Sequence, residues 1–150
     1  MSQNVIILGS TGSIGKSTLR VIDEFSDEFN VVGLSCKTNL KVLEDQIKKF
    51  EPEYIAIESP RVVLSDEYKK LKNKYSEVEF FEGIEGVEEL ASKKSDIVVS
   101  AIVGAAGLKP NISALKSTKR IALANKETLV MAGGIFMDMV KEAGVELVPV

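Results

Sequence analysis

Short apolar runs alternate along the chain with longer stretches in which apolar residues recur every three or four positions. The short runs fall at residues 5–8, 31–34, 54–57, 78–81, 97–101, 120–123 and 146–150. Their length and Val/Ile/Phe content suit strands buried on both faces of a parallel sheet. Between them, Ile14, Thr18, Val21, Ile22 and Phe25 predict one face of a first helix. Leu40, Leu43, Ile47 and Phe50 predict a second, stopped by Pro52. Ser59-Pro60 reads as a helix start, with Ser as N-cap and Pro at the first position, and Leu64, Tyr68, Leu71 and Tyr75 supply that helix's stripe. Lys109-Pro110 opens a short helix carrying Ile112 and Leu115. Leu129, Ala132, Phe136, Val140 and Ala143 mark the last one, with Gly144 as its C′ residue and Gly133-Gly134 as an expected break or kink.

This alternation predicts the α/β class: a Rossmann-like, doubly wound, mainly parallel sheet of about seven strands with helices on both faces. The 150 residues amount to one domain, 1–150, with no internal repeat or linker. A net charge of −3 with scattered basic residues argues against a nucleic-acid partner or an anionic membrane surface. The apolar run at 97–108 is too short to span a bilayer, and the opening residues do not read as a leader, so the expected location is cytoplasmic with no membrane partner. Histidine is absent, which excludes a Ser-His-Asp triad or a His base within these residues. The lone Cys36 excludes an internal disulfide and reads as a small buried residue.

The first strand runs into Gly9-Ser10-Thr11-Gly12-Ser13-Ile14-Gly15, and a helix follows at once. In this G-x-x-G-x-x-G spacing, Gly9 permits the tight turn, Gly12 lets the backbone approach a pyrophosphate, and Gly15 lets the helix pack closely. The helix start offers free N–H groups to the phosphates, and Thr11 and Ser13 add hydroxyls. Gly15-Lys16-Ser17 imitates the end of a P-loop, but that motif needs glycine where Ser10 stands.

NAD-binding folds place a carboxylate at the end of the second strand to accept from the ribose 2′-hydroxyl. Here the segment is Cys36-Lys37-Thr38-Asn39, with an ammonium, a hydroxyl and an amide. A 2′-phosphate is attracted by Lys37 and can take hydrogen bonds from Thr38 and Asn39, which favours NADP(H). Asn39 can alternatively serve only to cap the second helix. Small residues after the fifth strand, from Ser100 to Gly107, suit a flat ring passing close to the backbone and are expected beside the nicotinamide ribose or ring. After the sixth strand, Asn125 reads as an N-cap and Glu127 suits the helix dipole. Lys126 does not suit it unless an anion or carbonyl is held there.

Three segments together resemble the 1-deoxy-D-xylulose 5-phosphate reductoisomerase family: Ile7-Leu8-Gly9-Ser10-Thr11-Gly12-Ser13-Ile14-Gly15, Ala101-Ile102-Val103-Gly104-Ala105-Ala106-Gly107-Leu108, and Leu123-Ala124-Asn125-Lys126-Glu127-Thr128-Leu129-Val130. The Leu147-Val148-Pro149-Val150 ending also fits. The resemblance implies an NADPH-dependent oxidoreductase and isomerase of the non-mevalonate isoprenoid route. It rearranges and reduces 1-deoxy-D-xylulose 5-phosphate to 2-C-methyl-D-erythritol 4-phosphate, as a homodimer using Mg²⁺ or Mn²⁺.

Carried over by position, Thr11, Gly12, Ser13 and Ile14 bind the pyrophosphate region of NADPH, and Lys37, Thr38 and Asn39 hold the adenosine 2′-phosphate. Asn125 and Glu127 contact the cofactor, and Lys126 the sugar phosphate. Many members have a glycine-containing Ala-Gly-Lys/Ser-Asn segment where this chain reads Cys36-Lys37-Thr38-Asn39, so the basic residue is displaced by one position. The family's metal ligands, in an Asp-Ser-Glu-His segment, come after the Pro-Val ending. The resemblance therefore implies an NADPH-binding domain without a complete catalytic or metal site in these residues, expected to bind NADPH and not to turn over substrate. Two other readings share the same residues. One is another NADP-dependent dehydrogenase, such as a semialdehyde dehydrogenase, in which the Ala-Asn-Lys-Glu segment is not expected. The other is a non-catalytic dinucleotide-sensing domain.

Overall fold

The structure is a computed structural model and describes residues 2–124 and 126–150. Seven strands form one sheet: β1 (Gln3–Leu8), β2 (Phe29–Cys36), β3 (Tyr54–Ile57), β4 (Glu79–Glu82), β5 (Ile97–Ser100), β6 (Arg120–Leu123) and β7 (Glu146–Pro149). Their order is β4-β3-β2-β1-β5-β6-β7. Every pairing is parallel, so the sheet is wholly rather than mainly parallel. The seven expected strands are all present.

Among the described residues the α-helices are α1 (Ser13–Glu24), α2 (Leu40–Phe50), α3 (Pro60–Val63), α4 (Asp66–Lys74), α5 (Gly83–Ala91), α6 (Leu108–Ala114) and α7 (Glu127–Ala143), with a short 3-10 turn at Gly104–Gly107. Right-handed crossovers decide which face each helix covers. The chain steps from β1 to β4 in one direction, and Leu19 and Ile22 of α1, Leu43 and Ile47 of α2, and Tyr68 and Leu71 of α4 pack with Val5, Ile7, Leu34 and Ile55. It then returns across the sheet. Val87 and Leu90 of α5, Ala114 of α6, and Phe136 and Val140 of α7 pack with Ile6, Leu8, Val98 and Ile121 on the other face.

Four helical expectations change. The helix predicted to start at Ser59-Pro60 is two: Ser59 caps α3, and Ser65 caps α4 by accepting from the Tyr68 amide at 3.2 Å. α5 lies in a stretch for which no helix was predicted. Its stripe of Val87, Leu90 and Ala91 is buried, but Gly83 and Gly86 mask the period. α7 runs unbroken through Gly133-Gly134. Finally, α1 is rotated: Gly15, Leu19 and Ile22 face the sheet, while Ile14, Val21 and Phe25 are exposed.

Candidate functional site

Three strand exits meet where the winding reverses, at β2, β1 and β5, and a ligand-binding crevice is expected at such a switch point. Gly9 has φ +82°, a left-handed backbone that favours glycine. A Cβ there would also lie 2.8 Å from the Ala101 carbonyl oxygen, so Gly9 lets the turn lie against the exit of β5. The Gly9 amide donates to Ser35 Oγ at 2.9 Å, the Ser10 amide donates to the Ser35 carbonyl at 2.8 Å, and the Ala101 amide donates to the Leu8 carbonyl at 2.9 Å. At Gly15 a Cβ would sit 2.6 Å from Ser10 Cα, so this close approach sets the rotation of α1. Gly12 is different: a Cβ there would find only the Gly9 carbonyl oxygen, at 3.8 Å. Packing does not require glycine at 12, and the space above it is open to a ligand. Gly12 is also the N-cap of α1 and supplies no side-chain cap, so the first-turn amides are left for an anion.

The turn is anchored by a buried pair that the sequence reading missed. Ser10 Oγ donates to Gln46 Oε1 at 2.7 Å, and Gln46 Nε2 donates to the Ser10 carbonyl at 2.9 Å. The available signal was a polar residue in the apolar stripe of α2, beside Leu43 and Ile47.

Two adjoining cavities share residues 101–103. The first, of 360 Å³, is lined by Gly9, Thr11, Gly12, Ser35, Cys36, Lys37 and Glu58, with Val87 and Ala106. The second, of 490 Å³, is lined by Ile14, Ala124, Lys126, Glu127, Val130 and Met131. Thr38 and Asn39 instead line a neighbouring cavity of 480 Å³ with Lys41 and Arg61. Thus Thr11, Gly12 and Lys37 share one cavity, while Ile14, Lys126 and Glu127 share another. Ser13 is exposed as the first residue of α1. Asn125 lies outside the described residues. Asn39 Oδ1 accepts from the Val42 amide at 3.1 Å, so Asn39 does cap α2 and keeps its Nδ2 for a ligand. Asn111 Nδ2 donates to Thr128 Oγ1 at 3.1 Å, and this buried bond ties α6 to the first turn of α7 beside Lys126 and Glu127.

Burial pushes the Cys36 thiol up to about 12; a backbone hydrogen bond from Asn39 opposes this and the Glu58 carboxylate adds to it. The thiol is therefore neutral, in keeping with the small buried residue read from the sequence. Glu58 was also missed as a wall of the first cavity, although its place at the end of β3 puts it on the carboxyl edge of the sheet. Among the described residues, no three His, Cys, Asp or Glu side chains converge as a metal site would require. No described helix is long and apolar enough to cross a membrane.

The family model for 1-deoxy-D-xylulose 5-phosphate reductoisomerase matches residues 5–133. The protein of that name from Chlorobium phaeovibrioides is 50% identical over 145 residues, which are 96% of this chain and 37% of the relative. The solved structure of the Zymomonas mobilis reductoisomerase in complex with NADPH matches with a TM-score of 0.90 at 38% identity, over 99% of this chain and 38% of that one. A reductoisomerase in complex with NADPH, fosmidomycin and magnesium matches with a TM-score of 0.87 at 38% identity, over 98% of this chain and 36% of that one. The chain thus spans well under half the length of the relatives it matches.

Proposed function

Because the chain belongs to the 1-deoxy-D-xylulose 5-phosphate reductoisomerase family, we propose that residues 1–150 form an NADPH-binding domain of that enzyme. The observation that carries this is the turn at residues 9–15. Its two outer glycines are needed for packing, whereas its middle one borders open space at an uncapped helix start. In this reading Thr11, Gly12, Ser13 and Ile14 bind the pyrophosphate. Lys37, Thr38 and Asn39 hold the adenosine 2′-phosphate. The reading is supported by Lys37, which makes no ion pair among the described residues.

The second cavity takes the nicotinamide end. Ile14, Val103, Val130 and Met131 give it an apolar lining, and residues 101–103 let the ring lie close to the backbone. Asn125 and Glu127 hold the cofactor there. Lys126, at the start of α7, holds the sugar phosphate, whose charge offsets the unfavourable placing of a cation at a helix N-terminus. NADPH, when bound, supplies the hydride that reduces the aldehyde formed from 1-deoxy-D-xylulose 5-phosphate, giving 2-C-methyl-D-erythritol 4-phosphate. A divalent metal, a homodimer and a cytoplasmic location are part of the same reading for a polypeptide of the family's full length.

Fluorescence titration of the chain with NADPH and NADH tests the proposal. Lys37→Glu replaces a charge-assisted hydrogen bond with repulsion and should raise the Kd for NADPH by roughly tenfold to a hundredfold while leaving NADH little changed. Equal losses for both cofactors would remove the assignment of the 2′-phosphate to this turn. No binding of either would remove the domain assignment.

A further inference from the structure

Glu58 poses a problem for the preference that Lys37 is meant to provide. The two residues line the same cavity, and a carboxylate at that edge accepts a ribose 2′-hydroxyl and repels a 2′-phosphate. Lys37 and Glu58 carry opposite charges at one cavity, so a firm selection of a dianion calls for a further cation. The missing charge lies on the other side of the turn. The Ser59 amide donates to the Lys37 carbonyl at 3.2 Å, so the exit of β3 is bound directly to the exit of β2. Ser59 Oγ accepts from the Val62 amide at 3.4 Å and Pro60 opens α3, which fixes the path of the next residue, Arg61. Arg61 lines a cavity with Thr38, Asn39 and Lys41, in which Glu67 is the carboxylate. Lys37, Lys41 and Arg61 make no ion pair among the described residues. Asn39 accepts the helix-cap bond at its Oδ1, and its exposed side chain keeps the Nδ2 donors.

We infer that Arg61 is a specificity-determining residue that grips the adenosine 2′-phosphate from the side opposite Lys37, with Thr38 and Asn39 between them. The inference rests on the dinucleotide reading above and extends it to a residue outside the segments that reading uses. A guanidinium suits the task because its planar fork matches two phosphate oxygens and holds its charge at every relevant pH. Lys41, in the first turn of α2 just after the Asn39 cap, adds to the field without that geometry.

The test is Kd for NADPH and for NADH in the wild-type chain, Arg61→Ala and Arg61→Lys, at low and moderate salt. Arg61→Ala should raise the NADPH value about tenfold at low salt, the loss of one partly exposed charge-assisted contact, and leave NADH within about twofold. The effect should shrink as salt screens the exposed charge, and Arg61→Lys should recover part of it. Arg61 is exposed and its side chain makes no hydrogen bond among the described residues, so the melting temperature should not move. Wild-type preference for NADPH that survives Arg61→Ala unchanged overturns the role of Arg61 and leaves the dinucleotide reading standing. Equal losses for both cofactors also overturn it. A wild-type chain that binds neither cofactor overturns both.

Discussion

Replacing Gln46 with leucine should loosen the glycine turn at residues 9–15 without unfolding the chain. Gln46 is 8% exposed and Ser10 is fully buried, and they exchange two hydrogen bonds of 2.7 and 2.9 Å. Leucine keeps the volume and removes both. Ser10 Oγ then loses its acceptor and the Ser10 carbonyl loses its donor, each stranded at about 1–3 kcal/mol. Some of this is recovered because the hydroxyl can rotate and leucine is apolar, so the net loss should be about 2–4 kcal/mol. Against a total stability of about 5–15 kcal/mol the chain stays folded. At about 2–4 °C per kcal/mol for a domain of this size, the melting temperature should fall by roughly 5–15 °C.

The turn it frees carries Gly12 and the start of α1, so NADPH affinity should fall as well, measured at a temperature where both proteins are fully native. Gln46→Glu separates the two bonds. It keeps an acceptor for Ser10 Oγ but sets a carboxylate oxygen against the Ser10 carbonyl, and should be at least as damaging as leucine. Thermal unfolding followed by circular dichroism, with and without NADPH, reads both effects. A leucine variant that melts within about 2 °C of wild type and binds NADPH equally well would refute the reasoning.

Other outcomes follow from the same geometry. Gly15→Ala pushes a Cβ to 2.6 Å from Ser10 Cα, so urea titration should show a loss of about 1–3 kcal/mol or more and NADPH binding should weaken; an unchanged midpoint would mean the turn yields freely. Asp96 is held below the usual carboxylate range first by the Asn4 amide at 2.8 Å and then by Lys119 at 3.0 Å, and Glu82 is held low chiefly by the Tyr68 hydroxyl. Because these folded-state values are lowered, their stabilisation is complete at neutral pH and is lost as pH falls below the unfolded values of about 4 and through the folded ones. The urea midpoint should therefore hold from neutrality to about pH 5 and then drop, less steeply in Asp96→Asn; a flat midpoint into strong acid would contradict this. Cys36, with its thiol raised to about 12, should resist alkylation at pH 8 in the native chain and react once urea unfolds it, and rapid native labelling would show the thiol is not sealed.

The strands were legible because a strand buried on both faces must be a short apolar run, and all seven such runs became strands. The glycine turn was legible because its spacing is local: seven consecutive residues carry the tight turn, the open position and the close approach. Gly144 likewise ends α7 in the left-handed conformation its position implied. Helix boundaries were less legible. Ser65 won a new N-cap inside an apolar stripe that reads as continuous, and Gly83 and Gly86 hid the period of α5.

What local pattern could not contain is which distant residues would meet. The rotation of α1, which buries Leu19 and exposes Val21 and Phe25, follows from Gly15 abutting the turn at Gly9 and Ser10. Gln46 reaches Ser10 across 36 positions, and the β3 exit brings Glu58 into one cavity with Lys37 and Arg61 into another with Thr38 and Asn39. Periodicity along a chain reports the environment of each face, because burial repeats with the helix or strand. It carries no record of strand order, and strand order decides which exits share an edge. The sequence alone therefore specified the α/β sheet and the glycine turn, while the placing of Gln46 and Glu58 beside that turn, and of Arg61 beside Thr38 and Asn39, came only from the parallel packing of β1, β2 and β3.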